Sequence, residues 1–332
     1  MYKNYIGYTF IILITMISAY FVIIRDLYGL NDTYQYYNFF INVISNDGSY
    51  QGRFEPIFAA IAQTLRAFDA DYKIYFFILY LMLISLYYYS MYILVDRKNL
   101  ILSLFTIIFF LFISSWFLAS SINGLRQGLA LGFLYISLIY FFVKERKIVG
   151  CFLLLIATGF HYSMLLILPF YFLFNILNLN KNKVYLFLAI LYPLGAYEKL
   201  MLLISNLTGI PIYRAISDYG SEVESYRNGF QLDLFIYTFV YYFMFKFLQG
   251  FIYQKYRKNY SILIQIYALL TLVYYIFGFA NYSNRFGYIA WALIPIIQSY
   301  LFVYLNVSSL IKFIILFLMI PCSLLFYISN VS

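Results

Sequence analysis

The sequence predicts an all-α polytopic integral membrane protein of about 11 transmembrane helices, with short broken helices near its outer face. Three observations carry this expectation. Of the 332 residues, 64% are apolar and only 11% are charged, where soluble domains average about 45–50% and about 25%. Uncharged stretches long enough to cross ~30 Å of hydrocarbon recur along the chain. The basic residues are divided between the connections as membrane topology demands.

Taken in order, residues 4–24 form the first span. The run is too long for a signal peptide and shows no small-residue cleavage site. Residues 25–73 form a first outer segment. Within it, residues 55–68 read as a short helix with Pro56 in its first turn, too short to cross and therefore interfacial. Residues 74–95, 99–125 and 127–143 are uncharged stretches. The stretch 148–180 has basic residues at both ends, so an even number of crossings is expected. As one helix its 33 residues would reach ~50 Å, too long for a single crossing. Two shorter helices fit, with a turn near Gly159-Phe160-His161 lying in a water-filled or protein-lined recess. Residues 206–229 form a second outer segment. Residues 259–284, 286–311 and 313–332 are uncharged, and residues 281–285 mark a third outer segment. The whole reads as a single membrane domain over residues 1–332, without tandem repeats.

Lys3, residues 97–98, 144–147, 181–183 and 246–258, and Lys312 carry 13 Lys/Arg against two acids, Asp96 and Glu145. The positive-inside rule puts these segments in the cytoplasm, together with the N-terminus. The other face then holds nine Lys/Arg and 11 Asp/Glu. The two faces also differ in kind. Ten of the 13 inner cations are lysine, whereas seven of the nine outer ones are arginine: Arg25, Arg53, Arg66, Arg126, Arg214, Arg227 and Arg285. Lysine suffices as a topology signal. Arginine offers a planar fork that grips phosphate or carboxylate through two hydrogen bonds.

Composition excludes several classes. Two cysteines and one histidine supply neither a disulfide framework nor a zinc cluster, and no metal site is expected. The net charge of +9 is scattered in short clusters, so nucleic acid is not an expected partner. No phosphate-cradling glycine loop argues for a soluble nucleotide. Asp69-Ala70-Asp71 has the form of a metal-binding pair but lacks the surrounding α/β pattern, and reads as loop.

Four places carry candidate chemistry. Arg126 follows Asn123-Gly124-Leu125 and precedes Gln127 between two apolar runs, where a charge faces a cavity or snorkels to the interface. Arg285, with Asn281 and Asn284, forms a polar island that serves as a loop or as a sugar-binding wall. His161 titrates near neutrality and is either a functional group in the recessed turn or a structural hydrogen-bonder. Asp32 and Glu55 stand where helices begin, as caps or as carboxylates able to activate a sugar hydroxyl.

The order of these pieces resembles a known family. Asn31-Asp32-Thr33 with Tyr36, Glu55-Pro56, Asn123-Gly124-Leu125-Arg126-Gln127, the basic loop 144–147, Gly159-Phe160-His161-Tyr162-Ser163 and Asn281-Tyr282 with Asn284-Arg285-Phe286 are similar to the EpsG-like group of Wzy-type O-antigen and exopolysaccharide polymerases. The resemblance spans most of the chain. It implies a GT-C-like helical transferase that moves a growing glycan from undecaprenyl pyrophosphate to a lipid-linked repeat unit, at the outer face of a bacterial cytoplasmic (inner) membrane. No cofactor is implied, because arginines supply the positive charge for the leaving group. The implied partners are polyprenyl-linked oligosaccharides, the bilayer and a chain-length regulator. On this resemblance Arg126, Arg285 and Arg53 hold pyrophosphate, and Asn123, Gln127, Asn281 and Asn284 contact substrate. His161, Glu55 and Asp32 are the candidate bases. A lipid-linked oligosaccharide flippase and an O-antigen ligase remain the alternatives.

Overall fold

Charge-free apolar runs become helices throughout the computed structural model, which describes residues 2–27, 31–44, 54–217 and 229–331. They fall into two compact units, residues 1–165 with 298–332, and residues 166–297.

The first unit begins with α1 (Tyr2–Ile24), α2 (Asn31–Asn42), α3 (Pro56–Ala67) and α4 (Tyr72–Leu94). Pro56 does open α3, with Glu55 in extended conformation before it. Proline fits there because the first helical N–H has no intrahelical partner. The turn after α3 holds Asp69 at φ 53, so the Asp69–Asp71 pair is loop.

Next come α5 (Leu100–Phe112), α6 (Ser115–Ile122), α7 (Leu125–Leu138) and α8 (Lys147–Phe160). The apolar stretch 99–125 is not one rod. The helical run Arg97–Phe112 meets Ser115–Ile122 at 80°. Ser114 makes this corner, its hydroxyl accepting the Phe117 N–H at 3.3 Å as an N-cap. A second break at Asn123-Gly124 separates α6 from α7. Helices α7 and α8 pack closely together, as do α4 and α7. A Cβ on Gly128 would lie 2.7 Å from that of Ser120, so glycine lets α7 fold back against α6. Polar side chains bond across helices where lipid offers no alternative. Tyr80 donates to Ser18 Oγ at 2.8 Å, and Tyr327 to Ser121 Oγ at 2.7 Å.

The second unit contains α9 (Leu168–Ile176), α10 (Asn182–Ile190), α11 (Ala196–Thr208), α12 (Ile212–Ser217), α13 (Leu232–Leu248), α14 (Arg257–Phe277) and α15 (Ser283–Trp291). Its core explains part of the tyrosine excess. Tyr185 stacks on Tyr242 at 3.7 Å and shares a 2.8 Å hydroxyl bond with Tyr275. Trp291 Nε1 donates to Thr238 Oγ1 at 2.8 Å, and Tyr242 to the Leu179 carbonyl at 2.7 Å. Rings fill volume while their polar tips find partners. Helix α16 (Ile294–Tyr304) continues the chain, and α17 (Ser309–Val331) completes the first unit against α5 and α1.

Seven helices among the described residues are long and apolar enough to cross a membrane, or eight with the bent pair counted as one span. The chain is therefore an all-helical polytopic membrane protein, with seven or eight full-length spans among the described residues where the sequence suggests about 11. The difference has a physical cause. α9, α10 and α11 have nine, nine and 13 residues, so each reaches only about 14–20 Å. The stretch 148–180 does break where expected. α8 ends at Phe160, His161 is extended at φ −158, and a 3-10 turn covers Tyr162–Ile167.

Candidate functional site

The site grows from the double break around α6. Ending a helix leaves its last carbonyls without intrahelical partners. At the end of α6 the partner is Arg25, just beyond α1 and only 4% exposed. Its Nη1 donates to the Val22 and Ser121 carbonyls at 3.0 and 3.3 Å, and its Nη2 to the Ile122 carbonyl at 3.1 Å. The guanidinium lies over Phe76 at 4.8 Å. Burial lowers its pKa to about 10, so it remains a cation at neutral pH.

Helix α2 docks on the same break. The Thr33 hydroxyl donates to the Ile122 carbonyl, and the Asp32 N–H donates to Asn123 Oδ1 at 3.1 Å. Asp32 therefore lies inside the first turn of α2 and does not cap it. One orphan N–H of that turn is satisfied instead by Asn123, from 91 residues away. The Asn31-Asp32-Thr33 and Asn123–Gln127 pieces, distant in sequence, thus form one structure.

With the break fixed, Arg126 stands in the first turn of α7. Its Nη1 donates to Glu55 Oε2 at 2.6 Å, the side chains being 25% and 7% exposed. The cation is thus the more exposed member of the pair. Glu55 sits at the start of α3 without capping it, so its carboxylate is directed to Arg126. Arg126 lies over Phe54 at 4.7 Å and Tyr36 at 5.9 Å, and its Nε is buried without a hydrogen-bond partner. Burial raises the Tyr36 pKa while the Arg126 charge opposes this, and the phenol keeps its proton. Gln127 follows in the same turn, half-buried like Asn123.

The end of α8 borders this group. Gly159 lies directly against Ile57, two residues after Glu55, and Phe160 stacks on Phe133 of α7 at 5.3 Å. His161 follows. Its Nδ1 faces Ser163 Oγ at 2.8 Å and accepts the Ser163 N–H at 3.3 Å. A backbone N–H only donates, so neutral His161 carries its proton on Nε2. The ring thereby caps the 3-10 turn. His161→Asn, whose Oδ1 can replace Nδ1, is expected to keep most activity. His161→Ala is expected to lose about 1 kcal/mol of stability and activity with it. Complete loss in both, at normal expression, would show proton transfer instead.

An open apolar groove of about 470 Å³ runs between α3 and α4, lined by Pro56, Ile57, Ile61, Leu65, Ile78 and Met82 among others. It begins one residue from Glu55.

Asn281, Asn284 and Arg285 belong to the second unit. Tyr282 takes the left-handed conformation at φ 56, unusual without glycine, and the exposed Arg285 lies over its ring at 4.7 Å. Arg285→Ala should change stability by no more than about 0.5 kcal/mol, so a lost product in that variant reports on function directly. Arg53 lies outside the described residues, as does Arg227.

The sequence names Arg25 only among the seven outer arginines, and Tyr36 and Ser163 only within the pieces that resemble the family, with no role of their own. Tyr36 follows Thr33 by one helical turn, which was the available signal for their shared face. Beyond its place among the outer arginines, Arg25 offered only its position just past an apolar run.

The described residues thus form a polytopic helical membrane protein that holds a part-exposed arginine against a buried carboxylate at a helix break. The chain belongs to the EpsG family: the model described as the EpsG family matches residues 9–332, nearly the entire chain. That membership suggests a polysaccharide polymerase-type, glycosyltransferase-like activity. No curated protein and no solved structure matches the chain.

Proposed function

We propose that this protein is a Wzy-type polysaccharide polymerase of the bacterial cytoplasmic membrane, working at the outer face with its N-terminus inside. It transfers a growing glycan from undecaprenyl pyrophosphate to the non-reducing end of a lipid-linked repeat unit. The Arg126–Glu55 pair at the α6–α7 break carries this reading, together with membership of the family.

The acceptor hydroxyl oxygen bonds to the anomeric carbon of the donor glycan. The bond from that carbon to the pyrophosphate oxygen breaks, and the hydroxyl proton passes to a base. Arg126 meets the negative charge developing on the leaving pyrophosphate. Glu55 holds the guanidinium in place and has a second carboxylate oxygen with which to accept the proton, and Asp32 and His161 are the other candidate bases. Asn123 spends its Oδ1 on the Asp32 N–H, which leaves its amide NH2 to donate to sugar hydroxyls beside Gln127. The groove along α3 suits an isoprenoid chain next to its own pyrophosphate. Asn281, Asn284 and Arg285 are proposed as substrate contacts of the second unit, to be tested separately.

The test is deletion of the gene in its host, with wild type and Arg126→Ala as complements, reading the surface polysaccharide on a gel. Loss of the ladder with one repeat unit still attached supports polymerisation. Loss of that unit too, with lipid-linked repeats accumulating, would point to a flippase or ligase.

A further inference from the structure

At the other end of α4 and α7 lies a second basic feature that the proposed reaction does not use. A recess of about 550 Å³ is lined by Tyr92, Arg97, Tyr140, Lys144 and Arg146 together with the apolar Ile93, Val95 and Leu100. It has three cations and no carboxylate among its lining residues. Asp96 and Glu145, their neighbours in sequence, are not part of the lining.

The backbone around the recess is specifically built. Ile139–Val143 forms a π-helical turn, a geometry that recurs at functional positions. It ends with the Lys144 N–H on the Ile139 carbonyl at 3.0 Å and the Arg146 N–H on the Tyr140 carbonyl at 2.8 Å. Between them Glu145 takes φ 58, a left-handed conformation that costs energy in a residue with a side chain. Lys144 and Arg146 are thereby brought to the same recess. On the facing side, the Asp96 N–H donates to the Tyr304 hydroxyl at 2.9 Å and holds the turn that bears Arg97. The Tyr140 and Tyr89 hydroxyls share a bond of 2.7 Å.

The recess lies where the apolar spans Tyr72–Leu94 and Leu125–Val143 end, and the ends of membrane spans meet the headgroup region. Cations and tyrosines beside apolar side chains match a phosphodiester anion that carries its own acyl chains. We infer that this recess is a binding site for the headgroup of an anionic membrane phospholipid.

The test uses the full chain, purified and delipidated in detergent. Phosphatidylglycerol, phosphatidylcholine and inorganic phosphate are titrated in turn, with thermal stability and native mass spectrometry as readouts. Phosphatidylglycerol should bind saturably and stabilise the protein, and phosphatidylcholine should not. Arg97→Gln, Lys144→Gln and Arg146→Gln should each weaken phosphatidylglycerol binding by about fivefold, on the scale of one basic residue near a membrane surface. Lys181→Gln with Lys183→Gln, which removes two cations outside the recess, should leave it unchanged. The single variants keep two of the three cations, and their unliganded melting curves report whether they fold. Equal stabilisation by phosphatidylcholine would overturn the inference. So would equal weakening by the Lys181/Lys183 variant, or stabilisation by millimolar inorganic phosphate that equals that of the lipid.

Discussion

Arg126→Ala is expected to abolish long-chain polymer while the protein still inserts and accumulates. The guanidinium is the exposed half of a pair whose carboxylate is buried, so it is the member a ligand meets first. Removing one preorganised donor from a developing negative charge costs about 10²–10³-fold in rate. Arg126→Lys keeps the charge but loses the fork that spans Glu55 and a phosphate oxygen together, and should recover only a small part. Glu55→Gln separates positioning from charge. It keeps a hydrogen-bond acceptor for Nη1 but leaves a largely enclosed cation without its counter-charge. Its activity should fall between wild type and Arg126→Ala, as measured by the distribution of chain lengths on a gel. Full-length ladders from Arg126→Ala would refute the pyrophosphate role.

The second large effect is expected at Arg25, which is buried against the α6 break. Its two terminal nitrogens serve three carbonyls at the end of α1 and the α6 break. Hydrogen bonds from a charged group are worth about 1.5–3 kcal/mol each, so Arg25→Met should cost about 3 kcal/mol or more and displace the Asn123–Gln127 turn. Arg25→Lys retains a cation but reaches fewer of the three acceptors and should restore part of the loss. If Arg25 acts by positioning, the lysine variant will fold, bind lipid-linked donor nearly as well as wild type, and turn it over more slowly. Equal donor binding and equal turnover in Arg25→Lys and wild type would remove that role.

These residues show how far the sequence could be read. Helix α3 was legible because Pro56 marks its start. The break at His161 followed from length and charge, since a 33-residue uncharged stretch between basic ends cannot cross once. Arg126 stood out as a charge between apolar runs. What the sequence hid was tertiary. No local pattern says that the N–H of Asp32 is satisfied by Asn123, that Glu55 turns from its own helix to Arg126, or that Arg25 closes α6. Each joins segments 71 to 97 residues apart. Among the described residues seven or eight helices are long enough to cross, against the about 11 spans expected, because hydropathy records apolar length but not bends. Composition alone does not reveal the 80° corner at Ser114, which takes one serine and one capped amide. The candidates around Arg285 were readable as a polar island, and the left-handed Tyr282 beside it was not.

The most direct measurement places the purified protein in liposomes with its lipid-linked repeat unit as the only glycan and no nucleotide sugar. Glycans of two and more repeats should appear, with one polyprenyl pyrophosphate released per linkage formed, and Arg126→Ala should give neither. Repeat units that cross the bilayer without lengthening, or chains that grow only when a nucleotide sugar is added, would contradict a polymerase driven by the lipid pyrophosphate.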